Sequence, residues 1–435
     1  MSVVKNGGKS KNIPLIVMTA FVFIILFVLA LSGNMRNTLM PQIKETYGIN
    51  LTEVGFFSAT LSIGMLLSSF VSGLIGDRFK KKTILAILFP VYTIFLFLIG
   101  TVPVFPLLTL CMLLLGMFSN LIMMVGNTFV AEIFSDKKAM GLNLLHTVWA
   151  IGQFDSPMYV TFMFNRGYHW SSDYSTWAFA AVAIAVLFHI ALYVTRYDTG
   201  KKGGKDTADG GADMAGADAD MADGADGNNA GGGSQVAAGK PKISYLSLLK
   251  EKYLLLICLF AFLQQAFQNS LMIWMPLYFD NIGYDAAVMG NLITLLWVGM
   301  TVGRIIYSIF STRIDMILYL KIVSIVAPCV MFVCLYINAY WLWLIMLPTF
   351  GVLISAIYPL GVAITCELYP GRATAATAVK GITGSVGSMI MNPIIGSAAE
   401  TVGFTFAMCV PAAMYLFAFF VITAAKFPIQ KKSAK

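Results

Sequence analysis

Charge is what this sequence has least of. Its 435 residues include 29 Lys or Arg and 21 Asp or Glu, 11% in all, where a soluble domain carries roughly a quarter. So few charges cannot cover a globular surface with water-facing groups. Metal ligands are equally scarce. There are three histidines, and the six cysteines (111, 258, 329, 334, 366 and 409) form no CxxC and no Cys/His spacing. That excludes a zinc site and a disulfide framework and predicts buried, inert thiols. No G-x-x-x-x-G-K-[ST] loop is present, which removes the phosphate cradle needed to spend ATP. No nucleophile–base constellation or cofactor motif stands out, so the chain reads as a non-enzyme with no bound metal or cofactor.

What is present is apolar length. The chain is 58% hydrophobic. "IPLIVMTAFVFIILFVLAL" (13–31) by itself nearly reaches the ~20 residues that cross a ~30 Å hydrocarbon core. Similar runs recur between short polar breaks, giving about twelve spans near 13–40, 51–75, 83–101, 104–131, 141–164, 176–195, 252–279, 286–310, 316–337, 341–366, 372–399 and 402–426. The first is too long, and too closely followed, to be a cleaved signal peptide.

The net charge of +8 is arranged by side rather than for nucleic acid. Lys5, Lys9 and Lys11 precede the first span, Arg78 and Lys80 to Lys82 follow the second, and Lys137 and Lys138 follow the fourth. The middle segment and the C-terminus are also basic, whereas 101–106, 280–285, 338–341 and 399–401 hold no Lys or Arg. Positive loops stay cytoplasmic, so both termini are expected in the cytoplasm of a cell (inner or plasma) membrane protein.

Residues 200–240 change character to Gly, Ala and Asp. Such a stretch buries too little to offset its ordering entropy, and 196–245 reads as a flexible cytoplasmic linker. Its acid run "DADMADGAD" lacks both calcium-loop spacing and the closing Glu. The linker separates two related halves, 1–195 and 246–435. At an offset of 235 (276 − 41), Asn34 meets Asn269, Met40-Pro41 meets Met275-Pro276, and Glu132 meets Glu367. Glycines 48, 55, 64, 116, 126 and 152 meet 283, 290, 299, 351, 361 and 387, where chance would give roughly one match. The expected fold is therefore all-α, with twelve transmembrane helices in two pseudo-symmetric six-helix bundles. Duplicated bundles suit a machine that rocks around a site between them.

"GLIGDRFKKK" (73–82) is similar to the G-x-x-x-D-R-x-G-R-K loop of the major facilitator superfamily, with Lys80 at the usual glycine and Lys81 at the usual arginine. The second copy, "IFSTRID" (309–315), keeps Arg313 and lacks the acid. This resemblance covers essentially the whole chain outside the linker. It implies a conformational latch of Asp77 and Arg78, with Arg78 facing Glu132, and Arg313 and Glu367 in the equivalent places. "EIFSDKKAMGLNLLHTVWAIGQ" (132–153), "WMPLYF" (274–279) and "ELYPGRATA" (367–375) resemble the fucose- and hexose-type sugar:proton symporters. The resemblance also implies that helices 1, 4, 7 and 10 line a central cavity and that helices 5 and 8 abut.

Polar groups inside spans are expensive, so they mark either a site or interhelical glue. Helix 1 carries Asn34, Arg36 and Asn37, and helix 4 carries Asn120 and Asn127 on one face. Helix 7 carries Gln264, Gln265, Gln268 and Asn269 over an arc of about 140°, with Trp274 beyond. Amides donate and accept, and an indole covers C–H faces, which suits a hydroxyl-rich solute. Asn143, His146 and Gln153 on helix 5, and Asn291, Thr294, Trp297, Thr301, Arg304 and Ser308 on helix 8, form stripes that zip the halves or relay protons. Asp155 lies roughly 21 Å along helix 5 from Gly141. There a carboxyl that alternates between neutral and ionised would couple transport to protons, with His146 as a second candidate. Against this, Asp155 sits opposite His146 on an ideal helix, and a structural ion pair with Arg36 is the competing role. The expected function is proton-coupled uptake of a sugar-like polar solute by a monomer. Arg36 and Lys380 favour an organic anion instead, and the same fold would also serve a drug exporter or a non-transporting sensor.

Overall fold

Described residues in the computed structural model are 12–75, 79–134, 138–195, 250–310, 315–369 and 372–428. All the regular structure among them is helical: α1 (Asn12–Tyr47), α2 (Leu51–Ile75), α3 (Lys81–Ile99), α4 (Phe105–Ile133), α5 (Lys138–Phe164), α6 (Trp170–Thr195), α7 (Lys252–Asn281), α8 (Ala286–Phe310), α9 (Met316–Ile337), α10 (Tyr340–Ile354), α11 (Ile357–Leu368), α12 (Ala373–Thr401) and α13 (Phe404–Ala425). Helices α10 and α11 are one span broken at Ser355-Ala356. The twelve spans form two six-helix bundles, and the linker expected at 196–245 lies outside the described residues. Two observed elements depart from the sequence-based spans. Helix α1 runs on to Tyr47, and α6 starts at Trp170 rather than 176.

Consecutive helices alternate direction. One end of the molecule therefore carries the turns 48–50, 100–104, 165–169, 282–285, 338–339 and 402–403 (the turn face). The other end carries residues 12, 195, 252 and 425 (the terminal face). The duplication is visible in how the turns are built. Gly48 (φ +60°) and Gly283 (φ +88°) take the left-handed conformation that glycine adopts without strain. In both halves the next amide reaches back five residues, Ile49 to Lys44 and Tyr284 to Phe279, closing the helix with the same C-terminal motif. The following helices open alike: Asn50 and Glu53 form a reciprocal capping box, and Asp285 Oδ1 accepts from the Val288 amide.

Matched glycines also set matched crossings. Gly64 and Gly116 bring α2 onto α4, and Gly299 and Gly351 bring α8 onto α10, each against partner backbone where a side chain would collide. The bundles meet through α2 with α12, α5 with α8, and α1 with α7. Ten spans among the described residues are long and apolar enough to cross a bilayer by composition alone. The other two, α5 and α12, are rich in small and polar residues. Each is sandwiched between its own bundle and the opposite one, so protein rather than lipid covers much of its surface. None of the six cysteines forms a disulfide; Cys111, Cys258 and Cys334 are buried as expected, but Cys366 and Cys409 are half-buried and Cys329 is exposed, because α9 turns its outer side away from the bundle.

Candidate functional site between the bundles

The two faces differ in how closely the bundles approach. At the turn face, a Cβ on Gly55 would stand 2.6 Å from the Asn392 carbonyl and 2.8 Å from Pro393 Cα of α12. Gly396 lies against Leu51, and Gly290 of α8 lies against Thr161 of α5. The Leu51 amide donates to Glu400 Oε2 of α12 at 2.9 Å, an anion at a helix N-terminus supplied by the other bundle. Toward the terminal face no comparably close approach between the bundles is seen among the described residues. On α8, Thr301, Val302, Arg304, Ile305 and Ile306 are all exposed, with only Gly303 between them buried. A helix flanked by protein on one side and lipid on the other hides about half its circumference, so this end of α8 is uncovered on a second side. Gly33 of α1 and Gly381 of α12 likewise have nothing within 4 Å of where a Cβ would be. Two ion pairs at this end lie within a bundle, Lys81 with Glu132 and Arg372 with Glu251 (2.8 Å). Beside the latter pair, burial and then Glu251 hold the Tyr369 hydroxyl above its ordinary range. Among the described residues, the bundles are closed at the turn face and parted toward the terminal face.

The middle of this wedge is amide-rich. Gln268 occupies the position on α7 that Gly33 occupies on α1, and both are half-buried, as are Gln265, Asn269 and Asn37. On the α5 side stand half-buried His146, Trp149 and Gln153, and Thr294 of α8 is half-buried too. Asn34 ties α1 to α5 by donating to the Gln153 carbonyl at 2.9 Å, and its Oδ1 accepts from Asn37. Gln264 is 1% exposed; it donates to Gln268 Oε1 at 2.7 Å and leaves its own Oε1 unsatisfied. These side chains can exchange hydrogen bonds with a neutral polar solute that reaches them from the terminal face.

Other candidates lie elsewhere. Asn120 donates to the Met65 carbonyl and Ser68 Oγ, which makes it glue between α4 and α2, and Asn127 is buried with Oδ1 unpartnered. Trp274 is wholly buried in the C-terminal bundle, donating to Asn392 and packed on Phe404. Arg36 is 4% exposed and turned into the N-terminal bundle, donating to the Ser58 carbonyl and Asn37 Oδ1. Lys380 is 1% exposed and sits over the Tyr358 ring inside the C-terminal bundle. Both head groups are buried, and Arg36 reaches the wedge only through its hydrogen bond to Asn37. Asp155 is half-buried on the α5 stripe that also carries exposed Leu144, Ile151, Met158 and Phe162. The faces of α5 toward α1 (Gly152) and α8 (Thr161) lie elsewhere on the helix. Asp77, Arg78 and Arg313 fall outside the described residues, so of the latch only Glu132, paired with Lys81, and exposed Glu367 are placed.

One acid was hidden from the sequence. Asp173, in the first turn of α6, is 2% exposed, and its Oδ1 has no hydrogen-bond partner. The apolar run that marks this span begins after it, and no spacing pattern singles it out. Only the early start of α6, flagged by flanking Trp170 and Trp177, brings it into the bundle.

The fold is shared with solved transporters. The chain superposes on a mutant of the nucleoside transporter NupG with TM-score 0.72 at 13% identity, spanning 94% of this chain and 100% of the other. It superposes on a D-xylose-proton symporter with TM-score 0.70 at 12% identity, spanning 97% and 99%. A bacterial homologue of the human lysosomal transporter Spinster, inward-facing and unoccupied, gives 0.67 at 11% identity, spanning 98% and 100%. At such identities the likeness is one of fold. No curated protein sequence matches significantly. Residues 22–354 match the model of the Major Facilitator Superfamily; the chain belongs to that family, and it is an integral membrane transporter rather than an enzyme.

Proposed function

We propose that this protein is a secondary active transporter that takes up a sugar-like polar solute with protons by alternating access. The observation that carries this reading is the wedge: bundles locked at the turn face and parted at the terminal face, with Gln265, Gln268 and Asn269 half-buried at mid-depth. A neutral, hydroxyl-rich solute matches amide donors and acceptors, and the two cations that would attract an anion are turned into the bundles. Fold neighbours named for a nucleoside, D-xylose and a proton support the same class. With the termini in the cytoplasm, as the basic loops indicate, the wedge faces inward. Asp77 and Arg78 with Glu132, and Arg313 with Glu367, would close it when the bundles rock.

A thermal-stability screen of the purified protein against pentoses, hexoses, nucleosides and sugar acids identifies the solute class. Uptake of the stabilising compound into proteoliposomes, with and without an inside-alkaline gradient, then tests coupling. Accumulation above equilibrium only with the gradient is expected. Stabilisation by sugar acids alone, or uptake indifferent to the gradient, would overturn the respective half of the reading.

A further inference from the structure

We propose that Asp173 is a proton-binding site, enclosed within the N-terminal bundle beside Tyr174 and Tyr159, with Arg36 on the far side of Tyr174, and that it carries the coupled proton. This rests on the proton-coupled reading above for its role in transport, but not for its existence. Helix α6 packs on α3, α1 and α5, and each contributes groups to the pocket. Tyr174, wholly buried, is close enough to Asp173, Arg36 of α1 and Tyr92 of α3 to feel all three electrostatically, and Tyr159 of α5 likewise feels Asp173. Exposed His169, which precedes α6, is engaged with Ser171. No ion pair joins Asp173 to Arg36 among the described residues. Asp173 Oδ1, Arg36 Nε and the Tyr174 and Tyr159 hydroxyls are all buried without hydrogen-bond partners.

The duplication shows that the fold does not need this polarity. Arg36 and Tyr92 correspond, at the offset of 235, to buried Leu271 and Ala327. Aligning the buried aromatic residues that open the sixth helix of each half, Trp170 and Phe404 (404 − 170 = 234), sets Asp173 and Tyr174 opposite buried Ala407 and Met408. One bundle packs hydrocarbon where the other packs an acid, a base and two phenols. A carboxylate out of water without an ion-pair partner is disfavoured, which favours the protonated form of Asp173 in this conformation. Release needs water or a cation to reach it. Tyr159 lies two residues from Pro157, whose carbonyl faces Gly290 across the bundle interface. Opening the turn face releases α5 from this contact, and a shift of Tyr159 relative to Asp173 is the movement that would unseal the pocket. The first turn of α6 adjoins the turn face, so the proton arrives from water there, and coupling requires that it leave to water in the wedge, with no further reactant.

Infrared titration of the full-length protein in liposomes, without solute, tests the site directly. The wild type should show a protonated-carboxyl C=O band that is lost in Asp173→Asn, shifted but retained in Asp173→Glu, and unchanged in Asp155→Asn. Survival of the band in Asp173→Asn overturns the proposal, as does its absence from both wild type and Asp173→Glu. With the band assigned, D-xylose counterflow and gradient-driven uptake separate the two readings. If D-xylose is carried, Asp173→Asn should keep counterflow and lose at least tenfold of the gradient-driven accumulation; a variant that keeps its accumulation refutes the coupling role. A wild type with the band but with no gradient response for any stabilising solute refutes proton-coupled transport and leaves the site standing.

Discussion

Gly55→Ala should tip the protein toward the conformation open at the turn face. The added Cβ would fall 2.6 Å from the Asn392 carbonyl oxygen and 2.8 Å from Pro393 Cα. Both are backbone atoms of a long helix, so neither can rotate aside. Ordinary contact requires α2 and α12 to separate by roughly 0.5–1 Å, which already forfeits a quarter to a half of the dispersion energy of the atoms facing each other. Overpacking of this kind costs about 1–3 kcal/mol. The penalty exists only while the turn face is closed, because in the alternate state the two helices no longer touch there. All of it therefore appears in the conformational equilibrium, as a shift of roughly 5- to 150-fold. Spin labels at exposed Tyr168 and Tyr336, one on each bundle near the turn face, should report a longer distance for a much larger fraction of molecules, with helix content intact. A folded variant with an unchanged distance distribution would show that Gly55 does not mark a closing contact, and the assignment of a locked turn face would fall.

Gly48→Ala forces a left-handed residue with a side chain at φ +60° and should destabilise by about 1–2 kcal/mol; unchanged thermal melting would refute the turn geometry. Gln268→Ala removes one neutral hydrogen bond of about 1 kcal/mol to the solute, so the Kd of the stabilising solute should rise roughly fivefold; melting without solute should fall as well, because buried Gln264 loses its acceptor. Asn120→Leu should lose about 0.6 kcal/mol of helix association while solute affinity stays the same. Asp155→Asn should keep gradient-driven uptake, because Asp155 shares its stripe with exposed Ile151, Met158 and Phe162; loss of coupling in a stable variant would restore it as the proton carrier.

Spans and duplication were legible because each rests on a local or periodic property. Apolar length gives a crossing helix, and matched glycines give matched turns and crossings, as Gly48 with Gly283 and Gly64 with Gly299 demonstrate. The facing of a lone polar residue is a tertiary property. Asn120 and Gln268 are both amides in mid-span, yet one finds Ser68 on the next helix and the other stands half-buried in the wedge. Composition cannot separate them. The two acids show the same limit in opposite directions. Asp155 sits deep in an apolar run but on the exposed stripe of its helix, whereas Asp173 sits in a mixed, Trp-flanked stretch that reads as a boundary and is buried.

Comparing the halves recovers part of what composition hides. Positions at which both halves keep the same residue explain the fold: they are the caps, the close crossings and the bundle interface. Positions at which one half is polar and the other apolar are not required by the fold, and they segregate. Buried Arg36, Tyr92, Asp173 and Tyr174 belong to the N-terminal bundle, while Gln264, Gln265 and Gln268 stand opposite Leu29, Ala30 and Gly33 in the C-terminal one. On the proposed reading, the asymmetry would put the charge-bearing step in one bundle and most of the amide contacts in the other. Asn34 and Asn269, polar in both, lie on α1 and α7, which meet across the interface. A solute held by α7 and a proton held behind α1 would then be linked by the one motion that both bundles share. Substitutions in either cluster should alter how tightly uptake follows the gradient, whereas substitutions at the shared glycines should alter stability or conformational balance.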